Sequence, residues 1–144
     1  MRGYELSTDP ARLDLDLVHH WLSMDAYWAL GRDRDTVARA AGASVNFGVY
    51  RQADGQQVAY ARAVTDSATF AWLCDVYVEP AERGGGLGTW LVGAARDALA
   101  AAGVRRVLLA TKDAHGLYAK VGFAPLAEPG RWMEHRPGPP PRQG

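Results

Sequence analysis

Residues 76–88 read Val-Tyr-Val-Glu-Pro-Ala-Glu-Arg-Gly-Gly-Gly-Leu-Gly and join an apolar run, 70–79, to a long helical pattern, 87–102. Four of these residues are glycines, Gly84, Gly85, Gly86 and Gly88. Glycines let successive backbone N–H groups converge on one point with no Cβ in the way. The helix that follows directs its unpaired first N–H groups and the positive end of its dipole to the same point. The stretch therefore reads as a cradle for an anion, and a phosphate is the natural occupant. Two common nucleotide loops do not fit: glycines at 84, 86 and 88 cannot be written Gly-x-Gly-x-x-Gly, and no Gly-Lys-Ser/Thr follows.

Before the cradle the apolar period is two. Residues 44–52 and 57–65 are rich in Val, Phe and Tyr, with Ala53-Asp54-Gly55-Gln56 as the hairpin turn between them. A second turn at 65–68 leads into 70–79, so three antiparallel strands come in succession. After the cradle Leu87, Leu91, Ala95, Ala98 and Ala102 recur at spacings of four and three on one helical face, and Gly103 ends the helix. The apolar run 104–110 follows directly, and strand, helix, strand implies a parallel crossover. Beyond it Asp113 is expected to cap a short helix through Lys120. Val121-Gly122-Phe123 is expected to open a last hairpin whose return strand is 131–135. At the front, Tyr4-Glu5-Leu6-Ser7 reads as a first strand, Leu13, Leu17, Val18, Trp21 and Leu22 as a helical face, and Thr36 as the cap of a second short helix through Ala40. The expected organisation is one domain, 1–136, and a proline-rich disordered tail, 137–144.

Composition narrows the function classes. The chain has 144 residues, enough for one core, and 48% of them are hydrophobic, too many for disorder. Sixteen basic residues balance sixteen acidic ones, so no electrostatic footprint for nucleic acid or an anionic membrane is present. A single cysteine, Cys74, forms no internal disulfide and no cysteine-based metal site, and no metal is expected. The N-terminus is polar and no run is long enough to cross a bilayer, so a cytoplasmic protein is expected.

The order Val-x-Val, Glu-Pro, then Arg83-Gly84-x-Gly86-x-Gly88 resembles the acetyl-CoA pyrophosphate loop of the GNAT superfamily of N-acetyltransferases, Arg/Gln-x-x-Gly-x-Gly/Ala. Leu117-Tyr118-Ala119-Lys120-Val121-Gly122-Phe123 resembles the family's Leu-Tyr-x-x-x-Gly-Phe segment, at the family's distance from Arg83. The likeness covers 44–126 well and the front half loosely. Tyr27-Trp28-x-x-Gly31-Arg32 and Ala114-His115-Gly116-Leu117-Tyr118 are similar to a compact bacterial subgroup. The resemblance implies an α/β (α+β) fold with a mixed, mostly antiparallel central sheet, helices on both faces and a splayed parallel strand pair. It implies acetyl-CoA as cosubstrate and direct transfer to a primary amine of a small-molecule or amino-acid-like acceptor.

Such transfer needs a neutral amine, a donor to the developing oxyanion and a proton for the departing thiolate. By resemblance, the main chain of Val76, Tyr77 and Val78 binds pantetheine and the acetyl carbonyl, and Arg83, Gly84, Gly85, Gly86, Leu87, Gly88 and Thr89 hold the pyrophosphate. Two positions depart from the pattern: Gly85 stands where a basic or polar side chain is common, and Thr111 where asparagine is, as a further cofactor contact. Tyr118 matches the general acid, since a phenol with a pKa of about 10 keeps its proton at neutral pH; the competing reading is a core tyrosine. Asp75, mid-strand, reads either as the base or acceptor-binding carboxylate or as half of a buried ion pair with an arginine. Tyr27, Trp28 and Arg32 are read as acceptor-pocket walls or as packing over the sheet. His115 either polarises the site or is solvated, and Asp66 is a turn residue or a carboxylate at the cleft mouth. Asp66 and Asp75 lean towards a cationic amine. Two functions remain at this stage, an acetyltransferase and a CoA-binding sensor without turnover, and a homodimer through the 131–133 strand is left open.

Overall fold

In the computed structural model, residues 1–138 are described. The strands β1 (Tyr4–Ser7), β2 (Val45–Arg51), β3 (Gln57–Thr65), β4 (Ala71–Val78) and β5 (Val107–Leu108) form one sheet in the order β1-β2-β3-β4-β5. The first four are antiparallel neighbours, and β5 joins β4 in parallel after the crossover helix α3 (Leu87–Ala101). The remaining helices are α1 (Leu15–Met24), α2 (Arg34–Gly42) and α4 (His115–Lys120). On one face α3 lays Leu87, Leu91, Val92 and Ala95 against Phe47, Val49 and Leu73. On the other, α1 brings Val18, Trp21 and Leu22 against Tyr60 and Tyr77, joined by Val37 of α2. Because both faces are covered, β3 is buried at every position from Gln57 to Ala61 instead of alternating.

Two irregularities in β4 make the site. Its pairing with β5 is confined to Ala71 opposite Val107 and Trp72 opposite Leu108, so residues 73–78 have no parallel partner. This is the splay. In addition, Tyr60 faces Tyr77 while Arg62 faces Cys74, which sets Asp75 and Val76 against the single residue Ala61. Asp75 is the bulged residue and carries φ +53, in the left-handed region that Asp tolerates better than most side chains. The extra residue reverses the side-chain register: Ala71 and Leu73 pack towards α3, whereas Tyr77 packs towards α1.

Several sequence expectations are corrected. The strand expected over 104–110 is reduced to Val107–Leu108. Among the described residues no strand follows it, so the last hairpin and the 131–135 return strand do not form; Pro129–Arg131 is a short 3-10 turn. Pro125 and Pro129 withhold ladder N–H groups, which works against a regular strand there. The dimer edge imagined at 131–133 is thus not a sheet edge. Asp33, not Thr36, caps α2, accepting the Thr36 N–H at 2.7 Å. Asp113 does not cap α4; Thr111 Oγ1 accepts the Ala114 N–H at 3.0 Å instead. Most of the expected tail, 139–144, lies outside the described residues. No helix among them is long and apolar enough to cross a membrane.

Candidate active site

The glycine loop does what its composition predicts for backbone. Gly84 and Gly86 have φ +91 and +85, a region that a Cβ disfavours. Gly86 occupies the N-cap of α3 with no side chain to satisfy the first turn. The first helical bond runs from the Trp90 N–H to the Gly86 carbonyl, which leaves the N–H groups of Leu87, Gly88 and Thr89 without helical partners. Arg83 is drawn aside: its Nε donates to the Val78 carbonyl at 2.8 Å, Nη2 lies 3.3 Å from Asp25, and the guanidinium covers the Tyr77 ring at 5.1 Å. The Tyr77 ring under Arg83 is stacked on Trp21 at 5.3 Å, with its hydroxyl donating to Asp25.

A cavity of about 620 Å3 runs from this loop along the splayed half of β4. Val76, Tyr77, Val78, Arg83, Gly84, Gly86, Leu87, Gly88 and Thr89 line it, and Gly85 lies in the loop between them. Sequence reasoning missed three charged residues on its wall, Asp25, Asp113 and Lys120. A second cavity, of about 320 Å3, opens beyond it and is walled by Tyr27, Trp28, Arg32, Arg62, Trp72 and Asp75 among others. The two cavities share Tyr27, Trp28, Val76, Asp113, Ala114 and Tyr118, and so meet at the bulge of β4 and the start of α4.

Asp75 is the hub of the second cavity. Its Oδ2 accepts from Arg62 Nε at 2.7 Å and Arg32 Nη1 at 2.8 Å, and its Oδ1 from Trp28 Nε1 at 2.8 Å. Burial alone would raise the Asp75 pKa, but the Arg62 hydrogen bond and charge, then Arg32 and Trp28, outweigh it and hold the carboxyl below its ordinary value. A carboxylate so held is a poor proton acceptor at neutral pH. The ion-pair reading of Asp75 fits this geometry, and the general-base reading does not. Trp28 and Arg32 thereby do both things considered for them: they line the cavity and clamp the front segment to β4. Arg62 was not singled out because an arginine on an interior strand has no motif of its own.

Tyr118 lines both cavities and packs edge-to-face on Phe123 at 6.0 Å. Burial first, and then the nearby Tyr27 hydroxyl and Asp113 carboxylate, raise its pKa above the ordinary value. Tyr27 accepts the Lys112 backbone N–H at 3.0 Å, which ties the front segment to the loop before α4. Burial likewise pushes the Cys74 thiol up to about 11, in keeping with an inert cysteine.

Three expected site residues fall elsewhere. Asp66 lines neither cavity; it closes the β3–β4 turn by accepting the Ala68 and Thr69 N–H groups at 2.9 and 2.8 Å. The Thr69 hydroxyl and those backbone donors hold its carboxyl far below the usual range. His115 opens to a third cavity of about 610 Å3, between β5 and residues 123–127. Thr111 lines the second cavity rather than the glycine-loop cavity, with its hydroxyl used on Ala114. The sequence argument for a cationic acceptor therefore loses both carboxylates on which it rested.

Residues 15–123 match the model of the acetyltransferase (GNAT) family. A protein of the fungus Gibberella zeae, whose name places it among acetyltransferases, is 35% identical over 135 residues, 81% of this chain and 76% of that protein. A crystal structure of a GNAT-family protein from Xanthomonas campestris pv. campestris superposes with TM-score 0.87 at 44% identity, covering 94% of both chains. A Clostridium acetobutylicum structure with acetyl-CoA shares the fold at TM-score 0.67 and 18% identity, covering 94% of this chain and 96% of that one.

Proposed function

The chain belongs to the acetyltransferase (GNAT) family, and on that premise we propose that it moves the acetyl group of acetyl-CoA to the primary amine of a small-molecule acceptor. The observation that carries this reading is the meeting of two cavities, one ending on a glycine-capped helix and the other on a clamp of side chains, at Val76 and Tyr118. When bound, acetyl-CoA supplies an acetyl thioester as the activated acyl group. The glycine loop suits its pyrophosphate: the first-turn N–H groups of α3 are free, and backbone donors with the helix dipole favour an anion. The splay of β4 leaves Val76 and Tyr77 without a parallel partner, available to an extended ligand that adds along the strand.

Tyr118 holds the transferable proton. Its pKa, raised by burial, keeps the phenol protonated at neutral pH and able to donate to a departing thiolate. Asp113 is the carboxylate at the junction of the cavities, where it can face the amine of the acceptor. Tyr27 and Trp28 wall the same junction.

The test is thermal unfolding with and without acetyl-CoA, followed by release of CoA thiol against a panel of amines. Binding to the folded state raises its stability by RT ln(1 + [L]/Kd). An upward shift with thiol release for one amine supports the reading. A shift with no release for any amine points to a CoA-binding module without turnover, and no shift removes the cofactor assignment.

A further inference from the structure

The charges of the acceptor-side cavity are sorted by position. Arg32 and Arg62 line that cavity alone, whereas Asp113 lines both cavities at their junction. Between the arginines lies Asp75, with 3% of its side chain exposed against 22% for Arg32 and 14% for Arg62. Asp75 lines the same cavity, but with its oxygens turned into Arg32, Arg62 and Trp28, a ligand there meets chiefly the guanidinium groups. Two cations against one buried anion leave a net charge of one at this end. Donors are also spare: a guanidinium carries five N–H groups. Arg32 uses one on Asp75, and Arg62 uses one on Asp75 and one on Ser44 Oγ at 3.1 Å. The opposite end, next to Tyr118, carries the single carboxylate of Asp113.

Resting on the acetyl-transfer reading above, we propose that the acceptor is an amine that also bears a carboxylate, an amino acid, with Arg32 and Arg62 receiving its carboxylate and Asp113 facing its ammonium. A zwitterion matches a cavity whose two ends carry opposite charge. At the exposed Asp113 its ammonium gives up one proton to solvent before the neutral amine attacks the thioester. One uncompensated positive charge favours a carboxylate over a phosphate dianion, and the forked donors of arginine suit the two oxygens of a carboxylate. The flanking rings of Trp28 and Trp72 offer apolar wall to the rest of the molecule.

The experiment uses the full chain with the common amino acids, their methyl esters, the corresponding decarboxylated amines and phosphoethanolamine. Thiol release gives kcat/KM, and calorimetric titration in the presence of CoA gives affinity independently of turnover. Charged hydrogen bonds of this kind predict at least a ~10-fold preference for one amino acid over its own methyl ester and amine. Arg32→Met then lowers that preference by raising KM more than it lowers kcat. Preference for an ester or a decarboxylated amine overturns carboxylate recognition while acetyl transfer stands. So does preference for phosphoethanolamine, which assigns the arginines to phosphate. Acetyl-CoA binding with no amino acid bound or acetylated overturns it too, whereas loss of acetyl-CoA binding itself fails the earlier reading instead. Both arginines also hold Asp75, so the unfolding of each variant is measured first, and the wild-type panel decides where a variant does not fold.

Discussion

Along residues 83–89 the wall of the cleft is backbone, and around Asp75 it is side chain. The glycine loop needs no long-range partner to adopt its shape, because Gly84 and Gly86 take up positive φ and α3 supplies the donors by starting where it does. The acceptor side is assembled from Trp28 and Arg32 of the front segment, Arg62 of β3 and the bulge of β4, residues up to 47 positions apart along the chain. The first arrangement suits a cosubstrate that is always the same. The second suits specificity, since any of its side chains can be exchanged without disturbing the sheet's hydrogen bonds.

The largest effect is expected where the two halves meet. Tyr118→Phe keeps the ring against Phe123 and removes only the phenol proton. If the phenol is the general acid, kcat falls by about 100- to 10,000-fold while the acetyl-CoA-induced rise in unfolding temperature is unchanged. A fall in that rise as well assigns Tyr118 to packing of the cofactor cavity. The raised pKa adds a pH signature: the alkaline limb of kcat due to this group lies above the ordinary tyrosine value of about 10.

Breaking the acceptor side acts on stability next. Arg62→Leu leaves the Asp75 carboxylate buried with only Arg32 and Trp28 as partners, and denaturant titration is expected to show a loss of about 2–3 kcal/mol. Combining Arg62→Leu with Asp75→Asn costs less than the sum of the two single changes, because the two residues share one ion pair. The same cluster sets an acid limit. The folded pKa of Asp75 is depressed, so its contribution is complete above the unfolded carboxyl value of about 3.9 and is lost as pH falls through the lower folded value. Asp75→Asn flattens stability against pH in that window, measured by denaturant midpoints.

On the cofactor side the matching change is smaller. Gly86→Ala forces a Cβ into a left-handed conformation at about 1–2 kcal/mol, which is roughly a 10-fold weaker binding of acetyl-CoA if the loop relaxes to relieve it. Titration with acetyl-CoA reads this directly, and the urea stability of the apoprotein separates strain in the fold from loss of the site.

This contrast also explains what was legible in the sequence. The four strands, the hairpin at Gly55, the crossover and the glycine loop rest on local period and turn chemistry, and they lie where the residues put them. Tyr118 was legible through a motif. The Asp75 cluster was visible only as a pair of alternatives, because the choice depended on a bulge that one residue count in β4 creates and no periodicity announces. The C-terminal hairpin was misread because apolar and aromatic residues at 131–133 follow a strand-like order while Pro125 and Pro129 upstream oppose the ladder. Asp113 is expected from the sequence as a cap, but α4 has no side-chain cap, and Asp113 lines both cavities at their junction instead.

The smallest effect tests whether backbone alone holds the anion. Gly85 is the loop position at which the family's pattern carries a basic or polar side chain, and Lys120, from the last turn of α4, lines the same cavity. Lys120 thus brings to this cavity, from another element, a positive charge that Gly85 does not. An exposed charge of this kind contributes at most about 1 kcal/mol and is screened by salt. Lys120→Ala is therefore expected to weaken acetyl-CoA binding by about 2- to 5-fold at low ionic strength, with the difference vanishing near 1 M salt, where the Debye length is about 3 Å. Gly85 does not take positive φ, and a Cβ built on it meets nothing within 4 Å, so Gly85→Lys fits the loop without strain. Restoration of affinity in the Gly85→Lys, Lys120→Ala double variant places the two charges in one role; no restoration leaves the glycine loop and the helix end as the whole of the anion site.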